Sequence, residues 1–190
     1  CKGGLAEEVT PDCEIRTIVG QPKYIPTNST VQDIYIGYEC DCDIPLSLKY
    51  PIERGVVTHW DDMEKIWKYI FSRLHVNPSE HPVLLTENIM TPKADRQRMV
   101  EIMFETFKVP SYCVINQPTL SLFSSGRTTG LVAQLGQGIS QIAPIYEYYA
   151  IPRAAFQYNF GGCDIDSFLQ FIIEQEQSLG DDQYASSSKK

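Results

Sequence analysis

Gly130-Leu131-Val132-Ala133-Gln134-Leu135-Gly136-Gln137-Gly138-Ile139-Ser140-Gln141-Ile142-Ala143-Pro144-Ile145-Tyr146 reads as two strands, Gly130 to Leu135 and Ser140 to Tyr146, folded back at Gly136-Gln137-Gly138. Two glycines in so short a link mark a tight hairpin turn. Outward from this hairpin, strand and helix patterns alternate. Upstream, Tyr112 to Ile115 reads as a strand, and a short helix follows Pro118, a residue suited to the first turn of a helix. Downstream, Ala155 to Phe160 is a further strand. Gly161-Gly162 then leads into a helix with Ile165, Phe168, Leu169, Ile172 and Ile173 on one side.

The pattern continues toward the N-terminus. Val83-Leu84-Leu85 is a short apolar run of the buried-strand kind. A helix is predicted from Ala94 to Phe107, with Met99, Ile102, Met103 and Thr106 on one face and Phe104 and Phe107 on another. The clearest helix begins after Trp60, where Met63, Ile66, Trp67, Ile70, Phe71 and Leu74 form one apolar stripe. Asp61 is its predicted N-cap, and Glu64 completes a capping-box-like pair. Thr17 to Val19 is a short strand ended by Gly20-Gln21-Pro22, Pro26 to Thr30 is a polar loop, and Asp33 to Tyr38 is a strand. There is no internal repeat. The order of elements predicts an α/β fold with a hairpin-bearing sheet.

Composition narrows the function classes. The chain has 190 residues, 43% hydrophobic and 21% charged, with eight Phe and eleven Tyr. That is one globular domain or one lobe of a larger one, able to bury roughly 70% of its unfolded surface. Disordered, collagen-like and low-complexity classes are excluded. No apolar run approaches the roughly 18–20 residues that cross a bilayer, and no signal-peptide pattern is present, so membrane insertion is not expected. The net charge is −8, with no Lys or Arg cluster to neutralise phosphates, so no direct nucleic-acid partner is expected. Of the six cysteines, Cys40 and Cys42 have C-x-C spacing without a matching second pair, and no metal site is predicted. Irregular cysteines suit reduced thiols in an intracellular protein. His59, His75 and His81 form no catalytic constellation, and Glu174, Glu176, Asp181 and Asp182 read as a solvated acidic end. Residue 1 is Cys rather than Met, so the start of the gene product is expected to lie upstream.

Six collinear segments resemble actin: Leu48-Lys49-Tyr50-Pro51-Ile52-Glu53 followed by Gly55; Trp60-Asp61-Asp62-Met63-Glu64-Lys65-Ile66-Trp67; Glu80-His81-Pro82-Val83-Leu84-Leu85-Thr86-Glu87; Ile102-Met103-Phe104-Glu105-Thr106-Phe107; Ser125-Gly126-Arg127-Thr128-Thr129-Gly130; and Pro144-Ile145-Tyr146-Glu147. The resemblance implies an actin-like ATPase (ribonuclease H-like) fold. It implies the outer lobe (subdomains 1 and 2) plus the start of the inner lobe, incomplete at both ends and about the first half of an actin. The expected layout is an actin-like lobe over 1–171, with a subdomain-2-like insertion at about 17–50. The end of the last helix and a mobile polar tail then fill 172–190.

Actins bind ATP between two glycine-bearing hairpins, so the resemblance assigns roles residue by residue. Lys2 stands where a phosphate-binding lysine would be. Gly136, Gln137 and Gly138 match the second phosphate hairpin, and Gln117 matches the glutamine that positions the attacking water. The family pattern at that hairpin is Asp-Ser-Gly-Asp-Gly-Val-Thr-His, whereas this chain reads Gln134-Leu135-Gly136-Gln137-Gly138-Ile139-Ser140-Gln141. Amides neither accept a proton near neutral pH nor supply the negative charge that organises Mg²⁺. Gln117 and Gln134 are therefore read as vestigial, and no catalytic residue and no metal are expected. No cofactor is expected either; ATP with Mg²⁺ would bind only with the lobe this chain does not include. The glycines have a plainer reading as turn requirements.

Two further departures concern contacts. The stretch Tyr24 to Gln32 matches the loop that joins actin subunits, but it is shorter, lacks Gly and holds Pro26. Arg54 stands where actins carry a commonly modified histidine. Self-polymerisation is therefore not expected. Leu122, Phe123, Gly126 and Thr128 match a groove in which partner helices dock, although Leu122 and Phe123 serve equally well as core. The expected function is that of a non-catalytic structural actin-like subunit of a larger protein assembly, cytoskeletal, ciliary or similar, with a degenerate ATP site. Its expected partners are other protein subunits, in the cytoplasm or cytoskeleton, with cilium and nucleus left open. The alternatives are an ATP-binding, filament-forming actin and a phosphotransferase of the wider fold, which needs the acids that Gln134 and Gln137 displace.

Overall fold

A hairpin of very short strands opens the chain: β1 (Lys2–Gly3) pairs antiparallel with β2 (Cys13–Glu14). The structure is a computed structural model and describes residues 1–23 and 33–187, with side chains to residue 175. The central strand of the next sheet, β3 (Val19–Pro22), lies between β4 (Tyr35–Ile36) and β5 (Leu46–Lys49). The sequence predicts a strand from Thr17 to Val19 ended by Gly20-Gln21-Pro22, but the strand starts at Val19 and runs through those three residues. Gly20 is the point of close packing there, since a Cβ would fall 2.8 Å from Leu46 Cδ1. The strand predicted from Asp33 to Tyr38 is only two residues long. Gly37 adopts φ 66° and turns the chain into a short 3-10 segment over Gly37–Asp41. The loop from Tyr24 to Gln32, on which the filament expectation rests, lies outside the described residues.

A second hairpin, β6 (Ile52–Glu53) with β7 (Val56–Val57), turns at Arg54 and Gly55, which both have positive φ. Asn88 Nδ2 donates 2.7 Å to the Gly55 carbonyl and holds the turn. Helix α1 (Trp60–Arg73) follows. It begins one residue before the predicted Asp61 cap; His59 is the N-cap and makes no side-chain cap bond, so no capping box with Glu64 forms. Asp61 and Asp62 instead occupy the first turn, where negative charge suits the helix dipole. Asp62 is buried and accepts from Lys65 Nζ at 2.6 Å. Met63, Ile66 and Trp67 bury the predicted stripe.

The core of this part is a parallel pair joined through a helix: β8 (Val83–Glu87), α2 (Lys93–Glu101) and β9 (Tyr112–Asn116). The helix predicted to Phe107 changes character at Ile102–Thr106, a single wide turn in which Phe107 N donates to Ile102 O at 3.1 Å. The extra residue per turn rotates the face. Ile102, Met103 and Phe107 go inward, while Phe104 and Thr106, both predicted to pack, end exposed. Ile66 and Met103 are wholly buried at the centre of a cluster that also takes in Val19, Ile36, Trp67, Met99 and Val109.

Two compact units emerge, Cys1–Asn116 and Gln117–Lys190. The second unit starts with α3 (Gln117–Ser124) and the predicted hairpin of β10 (Gly130–Leu135) and β11 (Ser140–Tyr146), in register from Gly130↔Ile145 to Leu135↔Ser140. The other edge of β11 pairs with β12 (Tyr149–Ala150) and β13 (Phe156–Tyr158). Pro118, Thr119 and Leu122 of α3 are buried, as are Gln141, Ala143 and Ile145 of β11. Helix α4 (Gly162–Ser187) continues through Gly180 to Ser187, so the tail predicted from Gly180 is helical up to that point. No helix among the described residues is long and apolar enough to cross a membrane.

Two stability tests follow from the first unit. The Glu87 carboxylate is 5% exposed and is gripped by Arg96 through Nε at 2.8 Å and Nη2 at 2.7 Å. Arg96→Ala leaves a buried charge unpaired and should cost about 2–3 kcal/mol in denaturant unfolding, short of a fully enclosed pair because Arg96 is 43% exposed. The Tyr112 hydroxyl is buried without a hydrogen-bond partner among the described residues, and burial, assisted by the Glu87 charge, pushes the phenol up to about 12. The folded state thus favours the neutral phenol. That contribution is complete below about pH 10 and is lost as pH rises toward 12. Tyr112→Phe should remove this alkaline slope and stabilise the fold by about 1 kcal/mol at neutral pH, as the pH dependence of unfolding will read.

Candidate functional site

The hairpin turn is tied from two directions. Within it, Gly136 N donates to Ile139 O at 2.9 Å. From the start of α4, Gly162 N donates to Gly136 O at 3.0 Å and Cys163 N donates to Gln137 O at 2.9 Å. The chain passes so close at Gly161 that a Cβ there would meet Gln137 O at 2.5 Å and Gly136 O at 2.6 Å. Asp164 Oδ2 accepts from Gly161 N at 2.8 Å, and Ser140 Oγ donates to Phe160 O at 2.8 Å, closing the junction. At Gly136 a Cβ would fall 3.0 Å from Ile139 O, so backbone packing favours glycine there as well as at Gly161.

Behind the turn, the register places side chains in a row. Gln134 of β10 stands opposite Gln141 of β11, and Gln141 stands opposite Gln157 of β13. Paired residues share a face of the sheet, so three glutamines lie side by side across three strands. Gln141 is 2% exposed, and its Nε2 donates to Gln134 Oε1 at 2.8 Å. Gln134 Nε2 in turn donates to Ser121 Oγ at 2.6 Å, and Ser121 Oγ donates to the Gln117 carbonyl at 3.1 Å. Gln134 is thus engaged at both ends of its amide. Gln157 Oε1 is buried at the far end without a partner among the described residues. The stretch from Gly130 to Tyr146 contains no carboxylate.

Of the residues singled out in the sequence, Gln117, Gln134 and the turn residues Gly136, Gln137 and Gly138 all lie in the second unit, where Ser121 links Gln134 to the backbone carbonyl of Gln117. Lys2 belongs to the first unit, where it is exposed and its Nζ lies 2.9 Å from Glu14 Oε1, its register partner. Leu122, Phe123, Gly126 and Thr128 separate in role. Leu122 is buried core; Phe123 is 37% exposed and lies against Tyr148; Gly126, at φ 72°, faces open space; and Thr128 offers its carbonyl to Tyr148 N at 3.0 Å. No group of three or more His, Cys, Asp or Glu among the described residues is placed to hold a metal ion. Ser121, Gln157 and Tyr148 are missing from the sequence reading. Counting pairs outward from the turn yields the Gln134–Gln141 match, but the participation of Ser121 and Gln157 depends on tertiary packing.

The order of elements, the parallel pair joined through a helix, and the glycine hairpin pinned to a following helix match the fold expected from the resemblance. A family model described as Actin matches residues 1–190, the whole chain. The chain belongs to the actin family.

Proposed function

We propose that this chain is a non-catalytic structural subunit of a larger protein assembly, cytoskeletal or ciliary in kind, in which the family's nucleotide site has become degenerate. The hydrogen-bonded row Ser121–Gln134–Gln141 carries this reading. The family's chemistry needs carboxylates on this hairpin to organise Mg²⁺ and its waters, and a group able to take a proton. Amides supply neither charge nor basicity, and Gln134 already accepts from Gln141 and donates to Ser121. The residues present do not fit a magnesium-bound triphosphate. Loss of one positioned base typically lowers rate by about 10²–10⁴, and here several contributors are absent at once. Lys2, which the resemblance matches to a phosphate lysine, is exposed and paired with Glu14 within the first unit.

Exposed apolar side chains support the assembly role. Leu131 is 70% and Leu135 84% exposed on one face of the hairpin, and Phe156 and Phe168 are also largely open. Exposed apolar side chains that gather into a patch mark protein contact sites.

Two measurements test the reading. Phosphate release by the chain with ATP and Mg²⁺ should stay at the buffer rate, and ATP should not shift thermal unfolding. Ligand at about 100 times Kd would add roughly 2.7 kcal/mol, so an ATP-dependent shift or actin-like turnover would overturn the proposal. Gln141→Ala removes the donor to Gln134 and should destabilise by about 2 kcal/mol in denaturant unfolding, with the ATP response unchanged.

A further inference from the structure

Strand β10 ends its sheet: β11 pairs with one side of it, and no strand among the described residues pairs with the other. The register fixes what the open side presents. Residues along an antiparallel strand turn their backbone groups alternately to one neighbour and to the other. Gly136 N donates to Ile139 O, toward β11, and the carbonyl of Pro144, which stands opposite Leu131, accepts from Ile151 N on the side away from β10. Gly130, Val132 and Gln134 therefore bond β11, whereas Leu131, Ala133 and Leu135 hold their N–H and C=O groups toward the free edge. The pairing runs unbroken from Gly130↔Ile145 to Leu135↔Ser140, so no bulge turns that edge away.

An open edge is a template for another strand, and folded proteins blunt it with charge, proline, a bulge or brevity. The far side of the sheet uses brevity, since β12 and β13 have two and three residues. β10 has six and uses none of these devices. Gly130 to Tyr146 holds no Asp, Glu, Lys or Arg, and its one proline, Pro144, is on β11. The side chains beside the edge are open as well. Leu131 is 70% and Leu135 84% exposed, and Ala133 between them is exposed, all on the face opposite the one where Gln134 meets Ser121.

The order of residues selects the occupant. An antiparallel strand centred on Ala133 sets Leu131 opposite Leu135 and Ala133 opposite Ala133, so Leu131-x-Ala133-x-Leu135 is its own complement. The same centre places outward-facing residues opposite one another, the condition for each pair to exchange both backbone bonds. No like charges meet across the axis. We propose that the edge of β10 is a homodimer seam, on which a second copy of this chain pairs β10 with β10 about Ala133 and joins two sheets into one. The two-fold axis closes at two copies and covers both edges, so the seam builds no filament. It goes beyond the assembly-subunit reading by giving that subunit the form of a pair.

Sedimentation velocity of the whole chain without ATP should show a concentration-dependent species of twice the chain mass. Ala133 is exposed and turns its backbone groups away from β11, so its substitution spares the fold, as circular dichroism will verify. Ala133→Lys sets two cations against each other at the axis and Ala133→Glu two anions. Each variant alone should raise the dimer dissociation constant about 100-fold, the scale of like charges juxtaposed in an interface. Mixed in equal amounts, the two variants should dimerise again, because pairing of 133 with 133 turns both repulsions into one Lys–Glu attraction. Ala133→Pro removes the outward N–H, a change an edge strand tolerates, and should also weaken the dimer. A native chain that stays monomeric at every concentration, a dimer unaffected by Ala133→Lys or Ala133→Pro, or a Lys–Glu mixture no tighter than either variant alone would each overturn the seam. None of these readouts involves ATP, so the nucleotide reading stands or falls separately.

Discussion

The second unit depends on hydrogen bonds that hold Gln134 at both ends, to Gln141 on one side and Ser121 on the other. A buried amide left unpaired is expensive; Gln134 and Gln141 pair with each other, while Gln157 Oε1 at the end of the row has no partner among the described residues. The carbonyls of the turn likewise accept from the first amides of α4. Side chain and backbone thus both tie the hairpin to its neighbours, α3 on one side and α4 on the other.

The first unit is stabilised by ordinary means: Ile66 of α1 and Met103, just beyond α2, are fully buried between the strands and helices around them. Its polar exceptions sit at element ends. Glu87 closes β8 under Arg96, and Asp62 opens α1 beside Lys65. Each buried carboxylate has a cation within reach, which is the condition for leaving a charge inside a core.

Much of this was legible in the residues. The bounds of β10 and β11 followed from their apolar residues and the two glycines, because a hairpin writes both its strands and its turn into local sequence. Helix α1 showed itself through its stripe. Its start did not, because Asp61 has the chemistry of a cap and only the backbone reveals that His59 takes the position. The wide turn at Ile102–Thr106 was hidden for a similar reason: a helical periodicity averaged over fourteen residues masks one extra residue, and so Phe104 was read as buried. The glutamine row required knowing that β13 lies on the other edge of β11, a pairing between segments that no local pattern encodes. The division after Asn116 was likewise invisible, since β9 runs directly into α3 without a linker.

Gly161 carries a mechanical consequence. With two turn carbonyls within 2.6 Å of where its side chain would begin, the hairpin tip and the first residues of α4 leave no slack between them. Helix α4 has 26 residues and so extends for about 39 Å. A tilt of the glycine tip therefore acts at the short end of a lever, and a shift of a fraction of an ångström there is magnified into a sweep at the distant end of the rod.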